Sequence, residues 1–265
     1  MGFLEHPVID QYAGLSSPIH AVEPRIKLVS CLGLMVSIVS LRSVAALVGA
    51  VLVLAVFLLV SRLPVRYVLA RLLVALPFSV AVLFLLPFAE GGSPFVTLDL
   101  GFWHLAASRE GFTHAVVLSL RLVAALLVVT LLTSTTRFTT LLRAMESLRV
   151  PPIFPRLMEF TVRYLFILVD EIQRMQRARQ SRGFKARRLW EPTTLRTLGQ
   201  LIGVLFLRSL ERSERVYLAM RSRGFSGQVR VHLSFRVKPW DYCWSGLIIS
   251  VALLLMAVDR GGFWH

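Results

Sequence analysis

Lysine, cysteine and acidic residues are all scarce in this chain of 265 residues. Its three lysines are Lys27, Lys185 and Lys238, and none follows a glycine. A Walker A phosphate loop is therefore absent, and the chain does not bind ATP by that route. The two cysteines, Cys31 and Cys243, lie in or beside apolar segments far apart in sequence. They imply no disulfide framework and read as small packing side chains. There are 15 Asp and Glu residues against 30 Lys and Arg. The acids mostly stand beside arginines, and no nucleophile–base or ligand cluster stands out, which argues against a membrane-bound enzyme. His20 has no second ligand nearby, and His104 and His114 have no neighbouring Cys, Asp or Glu in a metal-site pattern. All three histidines read as structural, and no metal or cofactor is expected. The first 27 residues contain Glu5, Asp10 and Glu23 and lack a continuous apolar core, so no signal peptide is expected.

Apolar residues and arginine dominate what remains. The chain is 55% hydrophobic with a mean hydropathy of +0.67, which points to an integral membrane protein. A net charge of +15 is unusual in that class and suggests anionic lipid or an acidic partner. No nucleic-acid motif accompanies the charge, so nucleic acid is not an expected partner.

The expected fold class is an all-α integral membrane protein, with about five transmembrane helices and two long cytoplasmic helices. Leu28–Leu41 and Ser43–Val60 form one apolar stretch broken by Arg42, too long for a single span, and read as a hairpin turning near Arg42 and Ser43. Further spans are expected at about Val68–Phe88, where Pro77 and Pro87 kink or end the helix, at His114–Leu132, and at Trp240–Val258. Residues 90–111 read as a loop with Trp103 as an interfacial aromatic. Arg121, inside a span, should face protein or snorkel. Thr136–Arg149 holds a short amphipathic segment, and Ser226–Pro239 reads as extended. With a cytoplasmic N-terminus, 26 of the 30 Lys and Arg fall inside and three outside, which sets this orientation by the positive-inside rule. The expected domains are 1–133, the N-terminal segment and four spans; 134–239, a basic cytoplasmic region of net charge +14; and 240–265, the last span and an outer tail.

The basic region contains one phrase twice. Arg174-Met-Gln-Arg-Ala-Arg-Gln-Ser-Arg-Gly-Phe184 recurs 41 residues later as Arg215-Val-Tyr-Leu-Ala-Met-Arg-Ser-Arg-Gly-Phe225, with six of eleven positions identical. Each copy closes a long helical pattern, about Arg156–Arg182 and Thr193–Arg223, apolar early and charged late, so each helix is expected to start against the membrane core and end in the cytoplasm. Gly183 and Gly224 sit where a helix would stop, because glycine takes the left-handed C-cap conformation without a Cβ penalty. Arg182 and Arg223 are then last-turn cations whose planar forks suit a carboxylate. Duplicated flanks favour a partner-docking role over two ordinary caps.

Taken together these residues resemble the transmembrane T subunit of energy-coupling factor (ECF) transporters. That family's mark is a pair of Ala-Arg-Gly motifs at the ends of two coupling helices, here Ser181-Arg182-Gly183 and Ser222-Arg223-Gly224. The stretch Ser17-Pro18-Ile19-His20…Glu23-Pro24-Arg25-Ile26-Lys27 is similar to the family's N-terminal motif, and Ile9-Asp10-Gln11-Tyr12-Ala13 is similar to its cobalt branch, CbiQ. The resemblance implies a subunit that is not itself an enzyme. It implies two ABC ATPases bound at Arg182 and Arg223, which hydrolyse the ATP, and a small membrane S subunit that carries a cobalt or nickel ion. A T subunit for vitamin uptake stays open, as does a membrane anchor that meets anionic phosphates.

Overall fold

The computed structural model describes residues 12–89, 94–99, 104–183, 192–226 and 239–261. They form eight helices and one two-stranded hairpin. Chain contacts divide them into two compact units, one built from residues 7–149 and 235–265, the other chiefly from residues 150–234.

The first unit holds α1 (Pro24–Ser40), α2 (Val44–Val60), α3 (Val65–Ala89), β1 (Pro94–Asp99), β2 (His104–Ser108), α4 (Arg109–Thr135), α5 (Phe138–Ser147) and α8 (Pro239–Gly261). Helix α4 packs against α1, α2 and α3, while α8 packs against α1 and α2. On α2 the buried residues are Ala46, Leu47, Ala50, Leu54 and Leu58, a stripe at helical spacing that meets the core. Leu34, Ile38, Leu127, Leu131 and Ile248 are among the residues that join it in that core, with the Trp244 ring 5.3 Å from the Phe57 ring. Valine and phenylalanine point outward as well: Phe84 is 70% exposed and Val74 is 78% exposed. Outward apolar surface on this scale suits lipid, because a helix apolar all round belongs in a core or a membrane. Among the described residues three helices are long and apolar enough to cross a membrane, over Val65–Ala89, Arg109–Thr135 and Pro239–Arg260, and the apolar Val44–Val60 is shorter.

The helix break expected near Arg42 and Ser43 is present, between Ser40 and Val44. Cationic side chains meet the ends of α1 and α4. Arg121 Nη2 on α4 donates to the Leu41 carbonyl at 2.6 Å, and Lys27 Nζ on α1 donates to the Thr135 carbonyl at 3.2 Å. The two antiparallel helices thus each supply a cation to the negative end of the other.

Residues 90–111 differ from the expected loop. Within them β1 and β2 pair antiparallel, with Leu98 opposite Leu105 and Asp99 opposite His104, and α4 begins at Arg109 rather than His114. Ser108 caps α4 by accepting from the Gly111 N–H at 3.0 Å, with Glu110 in the first turn. That Ser-x-Glu start is a legible N-terminal signal. Trp103 and the 227–238 part of the expected extended stretch lie outside the described residues.

Candidate functional site

The second unit contains α6 (Ile153–Ser181) and α7 (Pro192–Ser222), the two helices that carry the repeated phrase. Prolines open both: Pro152 stands at the N-cap of α6, and Pro192 begins α7. Proline suits a first turn, where its missing N–H has no intrahelical partner to lose.

The two helix ends match. In α7 the Gly224 N–H donates to the Arg221 carbonyl and the Phe225 N–H to the Met220 carbonyl, both at 3.0 Å. This is a Schellman closure, and it requires a left-handed residue at Gly224, where φ is 81°. In α6 the Gly183 N–H donates to Gln180 at 3.0 Å, and Gly183 has φ of 82°. The Ser181 hydroxyl donates to the Arg177 carbonyl and the Ser222 hydroxyl to Ala219, each at 3.0 Å. Both serines are thus folded back on their own helices, which leaves the arginines as the projecting groups. Arg182 and Arg223 are exposed, and among the described residues neither guanidinium has an ion-pair or hydrogen-bond partner.

The helices are pinned side by side. Glu171 on α6 pairs with Arg208 on α7 and reaches Arg212 Nη2 at 3.9 Å. Toward the end of α6, Arg179 Nη1 donates to the Thr197 carbonyl. Toward its start, Phe160 and Tyr164 share a groove of about 350 Å³ with Val216, Tyr217 and Met220. Later residues of α6 therefore meet earlier residues of α7, and the pair is antiparallel. Each helix, of 29 and 31 residues, is about 45 Å long at 1.5 Å per residue. Arg182 and Arg223 consequently project from opposite ends of the pair, and the two helix starts do not share one end. Most apolar side chains here lack cover: Phe206 is 64% exposed and Leu157 is 52% exposed. Glu211 pairs with Arg215 at 3.7 Å, one turn apart along α7.

Pro18, His20, Pro24, Arg25 and Lys27 belong to the first unit. Pro24 opens α1. Arg25 Nε lies 3.5 Å from Glu23 Oε1, and the Glu23 N–H donates to Asp241 Oδ1 at 2.8 Å. Lys27 is buried and holds the end of α4. His20 sits in the turn before α1, with Nδ1 2.7 Å from the Ser17 hydroxyl and Nε2 3.2 Å from the Tyr12 carbonyl. A carbonyl only accepts, so Nε2 carries the proton and Nδ1 accepts from Ser17. Burial pushes the His20 imidazole below its ordinary 6.5, against a smaller opposing effect of the Tyr12 bond. This motif thus ties the entry of α1 to α4 and α8. Asp241 and Glu171 were not singled out in the sequence, since their partners lie far along the chain.

Residues 15–233 match the family model described as "CbiQ: Cobalt transport protein". The chain belongs to the CbiQ family. It is 31% identical to the energy-coupling factor transporter transmembrane protein EcfT of Thermanaerovibrio acidaminovorans, over 99% of this chain and 97% of that one. It is 33% identical to EcfT of Exiguobacterium sibiricum, over 77% and 80% of the two chains. EcfT of Staphylococcus aureus is 23% identical over 96% of this chain and 98% of its own. This CbiQ-family chain is accordingly a T subunit of the ECF transporter family, related to membrane transport proteins.

Proposed function

We propose that the chain is the energy-coupling subunit of an ECF-type importer in the cell membrane, and that two ABC ATPases dock on Ser181-Arg182-Gly183 and Ser222-Arg223-Gly224. The observation that carries this reading is the pair of matched arginines, without partners among the described residues, at opposite ends of an antiparallel helix pair. Two equivalent antiparallel helices are related by an approximate two-fold axis. Two like ATPases around a two-fold axis would offer two equivalent acidic grooves, one to each arginine. In each groove a guanidinium takes a carboxylate in a bidentate pair, and truncating such a partly buried contact costs about 2–5 kcal/mol.

The ATPases hydrolyse ATP and move the two ends. The Glu171 pairing with Arg208 and Arg212 lets α6 and α7 respond as one body. Their exposed apolar side chains supply a surface for the small S subunit that holds the substrate. The family description as a cobalt transport protein favours a cobalt or nickel ion over a vitamin as that substrate. The basic segment 134–239, together with the N-terminus, faces the cytoplasm under the positive-inside rule.

Affinity purification of the tagged chain from its native membrane in mild detergent tests the reading. One or two ABC ATPases and a small hydrophobic chain should co-purify. Repeated recovery of a solitary protein contradicts it and favours a phosphate-binding anchor.

A further inference from the structure

Helices α3 and α4 leave a groove between them of about 470 Å³, walled by Leu69, Leu72, Leu73, Leu76, Leu120 and Val123. Its floor includes Ala75, 7% exposed, whereas Leu69 and Leu73 on its rim are 54% and 60% exposed. Both helices are of membrane-crossing length and composition. The groove follows α3 from Leu69 to Leu83, about 21 Å of helix at 1.5 Å per residue. That covers the half of a ~30 Å hydrocarbon core filled by one lipid leaflet.

An arginine stands just beyond one end of this groove. Arg66, exposed, precedes Leu69 by three residues and Leu73 by seven, and so shares their face of α3. Arg71, five residues on and so about 140° round α3 from Arg66, is off this face and donates from Nη1 to Thr133 Oγ1 at 2.8 Å on α4. Arg62 stands just ahead of α3. No Asp or Glu occurs in residues 61–89 or 111–145, and among the described residues none of these three arginines has an ion-pair partner.

We propose that this groove binds an anionic phospholipid of the bilayer, with one acyl chain along α3 and α4 and its phosphate on Arg66. Charge complementarity selects the occupant: an arginine without an acidic neighbour, on the rim face just beyond an apolar slot, matches a molecule anionic at one end and hydrocarbon beyond it. The planar fork of Arg66 suits phosphate oxygens, and the slot excludes water from the chain below. The proposal rests on the membrane placement of α3 and α4, and it stands whether or not ATPases dock at Arg182 and Arg223.

The test places a reporter in the slot. Leu73→Trp, at an exposed rim position, is reconstituted with phosphatidylglycerol or phosphatidylcholine brominated on the acyl chain, and quenching beyond that of the parent protein is followed. Brominated phosphatidylglycerol should reach half its effect at about 5-fold lower mole fraction than brominated phosphatidylcholine, the factor expected for one arginine near an anionic lipid. Adding Arg66→Glu should make the two lipids equivalent. Equal quenching by both lipids in Leu73→Trp overturns the proposal, as does a phosphatidylglycerol preference unchanged by Arg66→Glu. If Leu73→Trp fails to fold, Leu76→Trp on the same wall gives the same readout.

Discussion

Asp259 caps a helix that begins more than two hundred residues before it. Its Oδ1 accepts from the Ser43 N–H at 2.6 Å and from the Arg42 N–H at 2.9 Å. Ser43 stands at the N-cap of α2, yet its own hydroxyl makes no capping bond. The last turn of α8 therefore supplies the acceptor that α2 lacks, and the negative charge meets the positive end of the α2 dipole. Asp259→Ala should lower stability by about 1–2 kcal/mol. Asp259→Asn, which keeps an accepting oxygen, should restore most of the loss. Thermal unfolding of the detergent-solubilised protein checks both, and equal losses in the two variants would contradict the capping role.

Lys27→Met should be more costly although it keeps the side-chain length. Lys27 is 1% exposed, and its ammonium holds the last carbonyl of α4. A hydrogen bond from a charged donor contributes about 1.5–3 kcal/mol, and its loss leaves the Thr135 carbonyl without that donor. The expected outcome is a loss of roughly 2 kcal/mol in the same unfolding assay, with α1 and α4 the helices to lose hydrogen-exchange protection.

His20 gives the protein a sign of pH dependence that can be checked. Burial holds its folded pKa below the ordinary 6.5, so the unfolded chain binds the proton more readily. Its contribution to stability is complete above about pH 6.5 and declines as the pH falls from there. His20→Asn should flatten that part of the stability profile between pH 7 and pH 5.5. A profile of unchanged slope in this variant would refute the assignment.

Glu171→Gln should loosen the α6–α7 pair without unfolding it. Arg208 and Arg212 are 53% and 32% exposed at their side chains, so the lost attraction is screened and the cost in stability is no more than about 1 kcal/mol. The larger effect falls on geometry. Spin labels at Leu165 and Leu207, both exposed, should give a broader distance distribution in Glu171→Gln than in the parent. An unchanged distribution would remove Glu171 from the coupling account.

How much of this was legible in the sequence depends on distance along the chain. The stops at Gly183 and Gly224 follow from the residues themselves, since a left-handed cap is a local matter and glycine marks it. The break before α2 and the turn of His20 toward Ser17 are equally local. Asp259, Asp241 and Glu171 do their work through partners on other helices, and one chain carries no signal that pairs Asp241 with the backbone of Glu23. The β1–β2 hairpin escaped notice because it has only five or six residues per strand, with Val96 and Leu98 its clearest alternation. The antiparallel setting of α6 and α7 was beyond the helical period, which fixes faces but not the direction of a neighbour.

The most direct test of the coupling account reverses the charge at both helix ends. Arg182→Glu and Arg223→Glu, singly and together, would be assayed in the reconstituted complex for ATPase subunits retained through purification and for ATP-dependent uptake of radioactive cobalt or nickel. Both side chains are exposed and without partners among the described residues, so the fold should survive the change. Each single variant should lose ATPase retention and uptake by at least about tenfold, given a contact worth 2 kcal/mol or more, and the double variant should lose both entirely. Full retention and normal uptake in the double variant would contradict the account.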